Sequence, residues 1–412
     1  MAENRMALAG SSRAINTVRV LQYLREHGAA TASDISEGTQ LPPATTYRTL
    51  HAMLEEKLVA PSRKPISDTG RVPKLYSVNP AYACAICIVI EKTTITICLS
   101  DLSGSILNRE KHEIRSHLKR EEILLMVHTG IAALIGTPLP EHRLSKMVRT
   151  IHIAAEADVD SVSGTILQFS GLPCLDSFDI TGYFERYYEV PVRLKKLLNF
   201  EAVAGIRNYH QYSFENYIFL HIGVGFGATI VINGNFYVGA NGKAGELMRL
   251  KTSDGRSWEE AYGTEPLYRA LIRAIADHPD SELNAIAMEM LALPPSQAET
   301  PLMLVLERAV ERSCLEAVAM VKQAVLGWAN TIRWLNAMYD PEVIVIGGDL
   351  TGSMPYIFNM IRESLKQDDD ISVNILPAQY ASSLLLEVAK GTIDTLYDTI
   401  YSAYAAPLSS KN

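Results

Sequence analysis

Residues 217–247, YIFLHIGVGFGATIVINGNFYVGANGKAGEL, constrain this chain more than any other stretch. An apolar run breaks at closely spaced glycines, resumes with strand-like alternation, and turns at Asn233 and Gly234. Asn-Gly between two alternating runs signals a hairpin, because both central positions of the tight turn need positive φ. A similar set comes earlier in AICIVIEKTTITICLSDLSGSIL (85–107), which reads as two or three strands with a turn at Ser103 and Gly104. Helical patterns over 115–136 and 300–338 follow the two sets. The second leads into the apolar strand VIVIGGDL, which breaks at Gly347 and Gly348, and residues 384–404 read as one last helix. Strand, hairpin and helix occurring twice predict a duplicated α/β body with a cleft between its halves.

The first 80 residues have a different character. An apolar stripe of Ile15, Val18, Leu21 and Leu24 predicts a helix over 12–27 that ends at His27 and Gly28. Thr31 and Asp34 fit a capping box opening a short second helix. Pro42 and Pro43 start a third over 44–57. Two strand-like pieces, Val59 with Ala60 and 74–78, flank the polar loop PSRKPISDTGRVP. Three short helices followed by a basic hairpin form a winged helix-turn-helix pattern.

Of 412 residues 48% are hydrophobic and 20% charged, which excludes a wholly disordered or collagen-like chain. No apolar run reaches the roughly 18–20 residues that span a bilayer, and no signal-peptide core precedes the first helix, so a soluble, cytoplasmic protein without membrane contact is expected. Residues 1–80 carry ten Lys and Arg against seven Asp and Glu, a balance of +3, which leaves −11 of the net −8 on the rest. A basic head on an acidic body points the head toward an acidic polymer. The five cysteines, Cys84, Cys87, Cys98, Cys174 and Cys314, are too few and scattered for a disulfide framework. An offset of three places Cys84 and Cys87 on opposite faces of a strand, so they read as core residues rather than metal ligands.

Four stretches resemble the ROK family (repressor, open reading frame, kinase) in its repressor branch. LPPATTYRTLHAMLEEKLV (41–59) is similar to the family's second and third helices, and SDTGRVPKLYSVNP (67–80) to its wing and linker. IGVGFGATIVINGNFYVGANGKAGE (222–246) resembles the family's glycine-spaced signature, and DPEVIVIGGDL (340–350) its late glycine turn. The resemblance implies an N-terminal winged helix-turn-helix joined to an actin/hexokinase-like ROK body. We expect domain boundaries at 1–80, 81–200 and 201–412, the last carrying an oligomerisation surface.

The departures from the family pattern bear on activity. Where ROK kinases carry an Asp-x-Gly-Gly-Thr phosphate loop, this chain has Val89, Ile90, Glu91, Lys92 and Thr93. Glycines let backbone N–H groups approach phosphate, and Glu91 repels it. The position of the family's aspartate base holds Leu197, which cannot accept a proton. The zinc-loop segment 249–263 contains no Cys and no His, so no metal is expected. Gly223, Gly225, Gly227 and the Gly347–Gly348 pair then read as retained structural turns, and His221, Trp258 and Trp328 as packing residues.

The reading is therefore a DNA-binding transcriptional regulator, a repressor of carbohydrate-related genes with no catalytic residues and no cofactor. Its expected partner is a double-stranded DNA operator, read as a homodimer or higher homo-oligomer. Thr45, Tyr47 and Arg48 on the third helix, with Arg63, Lys64, Arg71 and Lys74 in the wing, are the candidate DNA contacts; a solvated arginine and an ordinary polar loop are the rival readings. Lys195, Lys196, Asn199, Glu246, Arg249 and Glu260 are the candidate effector contacts. Three cations there suit an anionic sugar derivative better than a neutral hexose, unless the lysines are only surface charges. A ROK sugar kinase, or a regulator or scaffold whose body binds no small molecule, is the alternative.

Overall fold

The computed structural model describes residues 2–62, 74–114, 118–136, 147–240, 242–292, 301–366, 373–380 and 384–405. The chain divides into two compact units: Met1–Ala154 with Thr181–Arg193 and Val388–Asn412, and Ala155–Ile180 with Leu194–Glu387.

The first unit opens with α1 (Ala2–His27), which starts ten residues before the helix predicted over 12–27. Residues 2–11 are rich in Ala, Met, Leu, Glu and Arg and contain no proline, so nothing stops the helix from extending. Gly28, at φ 74°, ends it. The strand β1 (Ala30–Thr31) leads into α2 (Ala32–Thr39). The Thr31 hydroxyl accepts the Asp34 N–H, and the Asp34 carboxylate accepts the Thr31 N–H at 2.9 Å, the expected capping box. After the proline pair, α3 (Pro43–Glu55) is followed by β2 (Val59–Ser62) and β3 (Leu75–Val78), which pair antiparallel in a sheet of order β1-β3-β2. This is the winged helix-turn-helix.

Behind it, β4 (Cys84–Ile90), β5 (Thr94–Asp101) and β6 (Ile106–Glu113) form an antiparallel meander. All seven residues of β4 are buried, as their unbroken apolar run requires. The helix α4 (Arg120–Ile135) precedes β7 (Val148–Ala155). The strands β8 (Asp158–Asp160), β9 (Thr165–Gln168) and β10 (Phe178–Asp179) form a small sheet of the second unit. Then come α5 (Ile180–Tyr188) and β11 (Val192–Lys196), which completes the order β11-β7-β4-β5-β6.

The second unit repeats this plan. After α6 (Leu197–Ile206), a meander of β12 (Tyr217–Ile222), β13 (Phe226–Ile232) and β14 (Asn235–Phe236) turns at Asn233 and Gly234, both at positive φ. Next are α7 (Trp258–Tyr262), α8 (Thr264–Asp277), α9 (Glu282–Leu291), α10 (Pro301–Glu311) and α11 (Leu315–Tyr339). The strand β15 (Val343–Thr351) lies parallel to β12, and after α12 (Pro355–Leu365) β16 (Ile375–Ala378) lies parallel to β15. The order β14-β13-β12-β15-β16 mirrors that of the first sheet strand for strand. That correspondence is the duplication expected from sequence. No helix of the described residues is long and apolar enough to cross a membrane.

The tail differs from expectation. It forms two helices, α13 (Leu384–Gly391) and α14 (Ile393–Ala405), broken at Thr392, whose buried hydroxyl turns back onto the Ala389 carbonyl at 2.6 Å. Leu396, Tyr397 and Ile400 of α14 are buried in one cluster with Val20, Leu21 and Leu24 of α1 and Leu50 and Met53 of α3. Arg25 pairs with Asp394 and sits 4.6 Å from the Tyr397 ring centre, and the Tyr404 hydroxyl donates to Glu56. The last helix thus completes the core of the first domain. Leu396→Ala should cost about 2–5 kcal/mol in a denaturant titration, because Leu396 is fully buried there.

Candidate nucleic-acid interface and effector pocket

Helix α3 buries Thr46, Thr49, Leu50 and Met53. The positions between them face outward: Tyr47 is 59% exposed, Arg48 and His51 are exposed, and Thr45 is half-buried. Tyr47, Arg48 and His51 share one face at i, i+1 and i+4 spacing, with Glu55 a turn further on, 3.4 Å from His51. His51 is the residue that sequence reasoning missed; its i+3 relation to Arg48 was the available signal. Lys74, at the foot of β3, is exposed, with its ammonium 5.2 Å from the Tyr76 ring centre. Arg63, Lys64 and Arg71 lie outside the described residues.

The second unit holds a small, partly open cavity beside β13. Lys196, Asn199, Thr229, Ser161, Phe236 and Tyr237 are among its lining residues. The Thr229 hydroxyl donates to the Asn199 carbonyl oxygen at 3.2 Å and so orients that amide. Two ion pairs stand next to it, Lys196 with Glu246 and Arg249 with Asp158. The turn that presents Glu246 depends on Gly245. Its φ is 79°, its carbonyl accepts the Ala228 N–H at 2.9 Å, and a Cβ there would lie 1.9 Å from the Ala228 oxygen.

This arrangement alters the charge argument. Lys196 and Arg249 each face a carboxylate of the same unit, so these two cations offer little net positive charge. Burial pushes the Lys196 ammonium down to about 8, with Asp158 opposing the fall and Arg249 adding to it. Lys195 is half-buried and does not line the cavity. Glu260 is exposed and does not line it either; its carboxylate accepts the Ser257 N–H at 2.7 Å as the capping box of α7. The geometry therefore gathers Lys196, Asn199, Glu246 and Arg249 and leaves Lys195 and Glu260 apart.

Positions that serve phosphate in a kinase are committed to packing. Glu91 lies in the tight β4–β5 turn, where its carboxylate accepts the Thr94 hydroxyl at 2.6 Å. Leu197 is buried. The Gly223 N–H is spent on the Gly225 carbonyl, and Gly223 in turn accepts from the Thr264 N–H. At Gly347 an added Cβ would lie 2.5 Å from the Tyr380 hydroxyl. Among the described residues no group of three or more His, Cys, Asp or Glu could hold a metal ion.

His221 has more than the packing role expected of it. Its Nδ1 lies 2.9 Å from Glu201, whose other oxygen accepts the Tyr380 hydroxyl at 2.7 Å. Burial works against the imidazolium, but Glu201, and beyond it Asp349 and Glu156, outweigh burial and raise His221 above its ordinary 6.5. Burial likewise opposes the Glu201 carboxylate, and His221 and the Tyr380 hydrogen bond hold it below its ordinary 4.5.

The fold and the outward face of α3 define a class: a DNA-reading head on a sugar-kinase-like α/β body. The ROK family model matches residues 85–252, and the IclR helix-turn-helix domain model matches residues 14–62. The chain thus carries a ROK-family domain behind an IclR-type helix-turn-helix. It is 21% identical over 365 residues to the xylose repressor of Caldicellulosiruptor bescii, covering 86% of this chain and 88% of the relative. A crystal structure of a ROK family transcriptional regulator, homolog of the E. coli MLC protein, aligns with TM-score 0.70 at 18% identity over 96% of this chain and 99% of that one. A ROK family glucokinase from Streptomyces griseus, solved with glucose and AMPPNP, aligns with TM-score 0.57 at 18% identity over 76% of this chain and 100% of its own. At that identity these two structures establish the shared fold.

The His221–Glu201 pair sets a pH dependence. A raised imidazole stabilises fully below about 6.5 and loses its contribution as pH rises through the folded value; a depressed carboxylate stabilises above about 4.5 and loses its contribution on acidification. The stability difference between parent and Glu201→Gln, measured by urea titration, should therefore be larger at pH 6 than at pH 8.5.

Proposed function

We infer that the chain is a sequence-specific DNA-binding transcriptional repressor of carbohydrate-related genes, acting in the cytoplasm on a double-stranded operator. The observation that carries this reading is α3: a helix-turn-helix recognition helix whose inner face is packed and whose outer face presents Tyr47, Arg48 and His51. Thr45 joins them at the helix N-terminus. Arg63, Lys64, Arg71 and Lys74 supply wing contacts to backbone and minor groove in this reading. Residues 1–80 are the reading head; the expected division of the body at 81–200 and 201–412 gives way to the two compact units, with 155–180 and 194–200 in the second and 388–412 returning to the first. Arg48→Ala should cost about 1–3 kcal/mol at the cognate base position and relax specificity there, read by binding to an operator mapped by genomic footprinting. Lys74→Ala should weaken binding evenly across sequences and lower the salt slope by about 1. Parent-like binding by both variants would remove α3 and the wing from the interface.

We further propose that the body senses rather than phosphorylates. Leu197 offers no proton acceptor, Glu91 stands where phosphate would need glycine, and the Gly223 N–H is already taken. Sugar-dependent ADP release above a no-enzyme control would instead favour the kinase reading.

The cavity beside β13 is the proposed effector site. Asn199, Thr229, Ser161 and Tyr237 offer donors and acceptors suited to hydroxyl groups. An anionic sugar derivative would have to part Lys196 from Glu246 or Arg249 from Asp158, whereas a neutral one keeps both pairs. The pairing favours the neutral ligand. Calorimetry with matched neutral, phosphorylated and oxidised sugars separates the two. Asn199→Ala should weaken binding of the neutral hit roughly tenfold, the loss of about one hydrogen bond. An absence of any binding favours the ligand-free scaffold.

A further inference from the structure

Stability gives no reason for a lysine at the start of α6. Lys196 is the N-cap of that helix, where the macrodipole disfavours a cation, and an ammonium has no acceptor with which to cap the first turn. Its side chain is only 13% exposed. Among the described residues that line the cavity beside β13, Lys196 is the one amine. Asn199 follows one turn along the helix, its amide oriented by the Thr229 hydroxyl, and Ser161 and Tyr237 line the same space. An amine and a set of groups matched to hydroxyls therefore share one enclosure. The carboxylate of Glu246, 11% exposed, pairs with that amine.

We infer that Lys196 is a covalent contact for the effector, its Nζ condensing reversibly with the carbonyl carbon of a polyhydroxy aldehyde, an aldose in its open-chain form. The inference rests on the reading of the cavity as the effector site. An amine attacks a carbonyl only as the free base. Burial brings Lys196 down to about 8, so about one molecule in ten carries the free amine at pH 7. At the ordinary 10.5, roughly one in three thousand would. Glu246 balances the step. It takes a proton from the ammonium, and the Nζ lone pair forms the C–N bond while the carbonyl π pair moves to oxygen. A proton passes from nitrogen to that oxygen, giving a neutral carbinolamine. Glu246 returns its proton to the new hydroxyl, the C–O bond breaks, and water leaves. No oxidant or reductant is needed. The product is an iminium facing a carboxylate, so the charge pair survives, and breaking a buried pair would be costly. The hydroxyls beyond the carbonyl meet Asn199, Thr229, Ser161 and Tyr237. Water reverses the bond, so the effector can leave.

The test uses the full chain with D-erythrose as the aldose and cyanoborohydride to reduce the iminium to a stable secondary amine. Peptide mass mapping should find the segment containing Lys196 heavier by one erythrose less one oxygen atom. Labelling there should run about tenfold or more faster than at the exposed Lys366, which lines no cavity. Lys196→Arg keeps a cation for Glu246 but cannot form an imine, so the fast phase should vanish from the whole protein. The parent's map needs no variant, so a poorly folding Lys196→Arg leaves the test intact. Calorimetry with erythritol, which has the hydroxyls but no carbonyl, reads the cavity separately. Erythritol binding without fast labelling at Lys196 overturns the imine and leaves the effector site standing. Neither labelling nor erythritol binding overturns both. Labelling no faster at Lys196 than at Lys366, or a fast phase that persists in Lys196→Arg, also overturns the imine.

Discussion

The central strand of each sheet is apolar along its length and must be covered on both faces. All seven residues of β4 are buried, and on β12 so are Tyr217, Ile218, Phe219, Leu220 and Ile222. Buried strands of this kind find stability only in layered architecture, with helices over the sheet. Much else follows from this demand. In the second unit α8, α10, α11 and α12 each give an apolar face to one cluster built on β12 and β15. The glycine turns sit where those strands end, and their loops carry the polar groups.

The first domain solves a different problem. Three helices and a small three-stranded sheet bury little apolar surface alone, and small domains are marginal for that reason. The chain returns after more than three hundred residues to place Leu396, Tyr397 and Ile400 in that core. The reading head is therefore stabilised by the chain's last helix, and Arg25, held between Asp394 and the Tyr397 ring, ties the two ends together.

In the body, polar side chains beside the late glycine turn are committed to one another. Tyr380 covers Gly347 and donates to Glu201; Asp349 accepts from the Thr264 and Tyr268 hydroxyls at 2.6 and 2.7 Å. These polar groups satisfy one another, which removes the cost of leaving them unpaired. The cavity beside β13 keeps an oriented amide and hydroxyl next to self-neutralised charge, an environment suited to hydroxyl groups.

The sequence by itself determined the elements whose signals are local. The capping box at Thr31, the Asn233–Gly234 turn and the proline start of α3 were all legible, because each depends on neighbours within one or two turns. Tertiary structure decided the rest. Side-chain chemistry fixed that Lys196 and Arg249 are cations, but only folding brought Glu246 and Asp158 against them, the latter from ninety-one residues away. The family resemblance offered Glu260 as an effector contact, but a local cap captured its carboxylate. Periodicity showed helix through the tail, but neither the break at Thr392 nor the destination of α14 is written in a helical repeat. Long-range pairing carries no periodic signature, since it depends on which apolar faces are left to cover once local structure has formed.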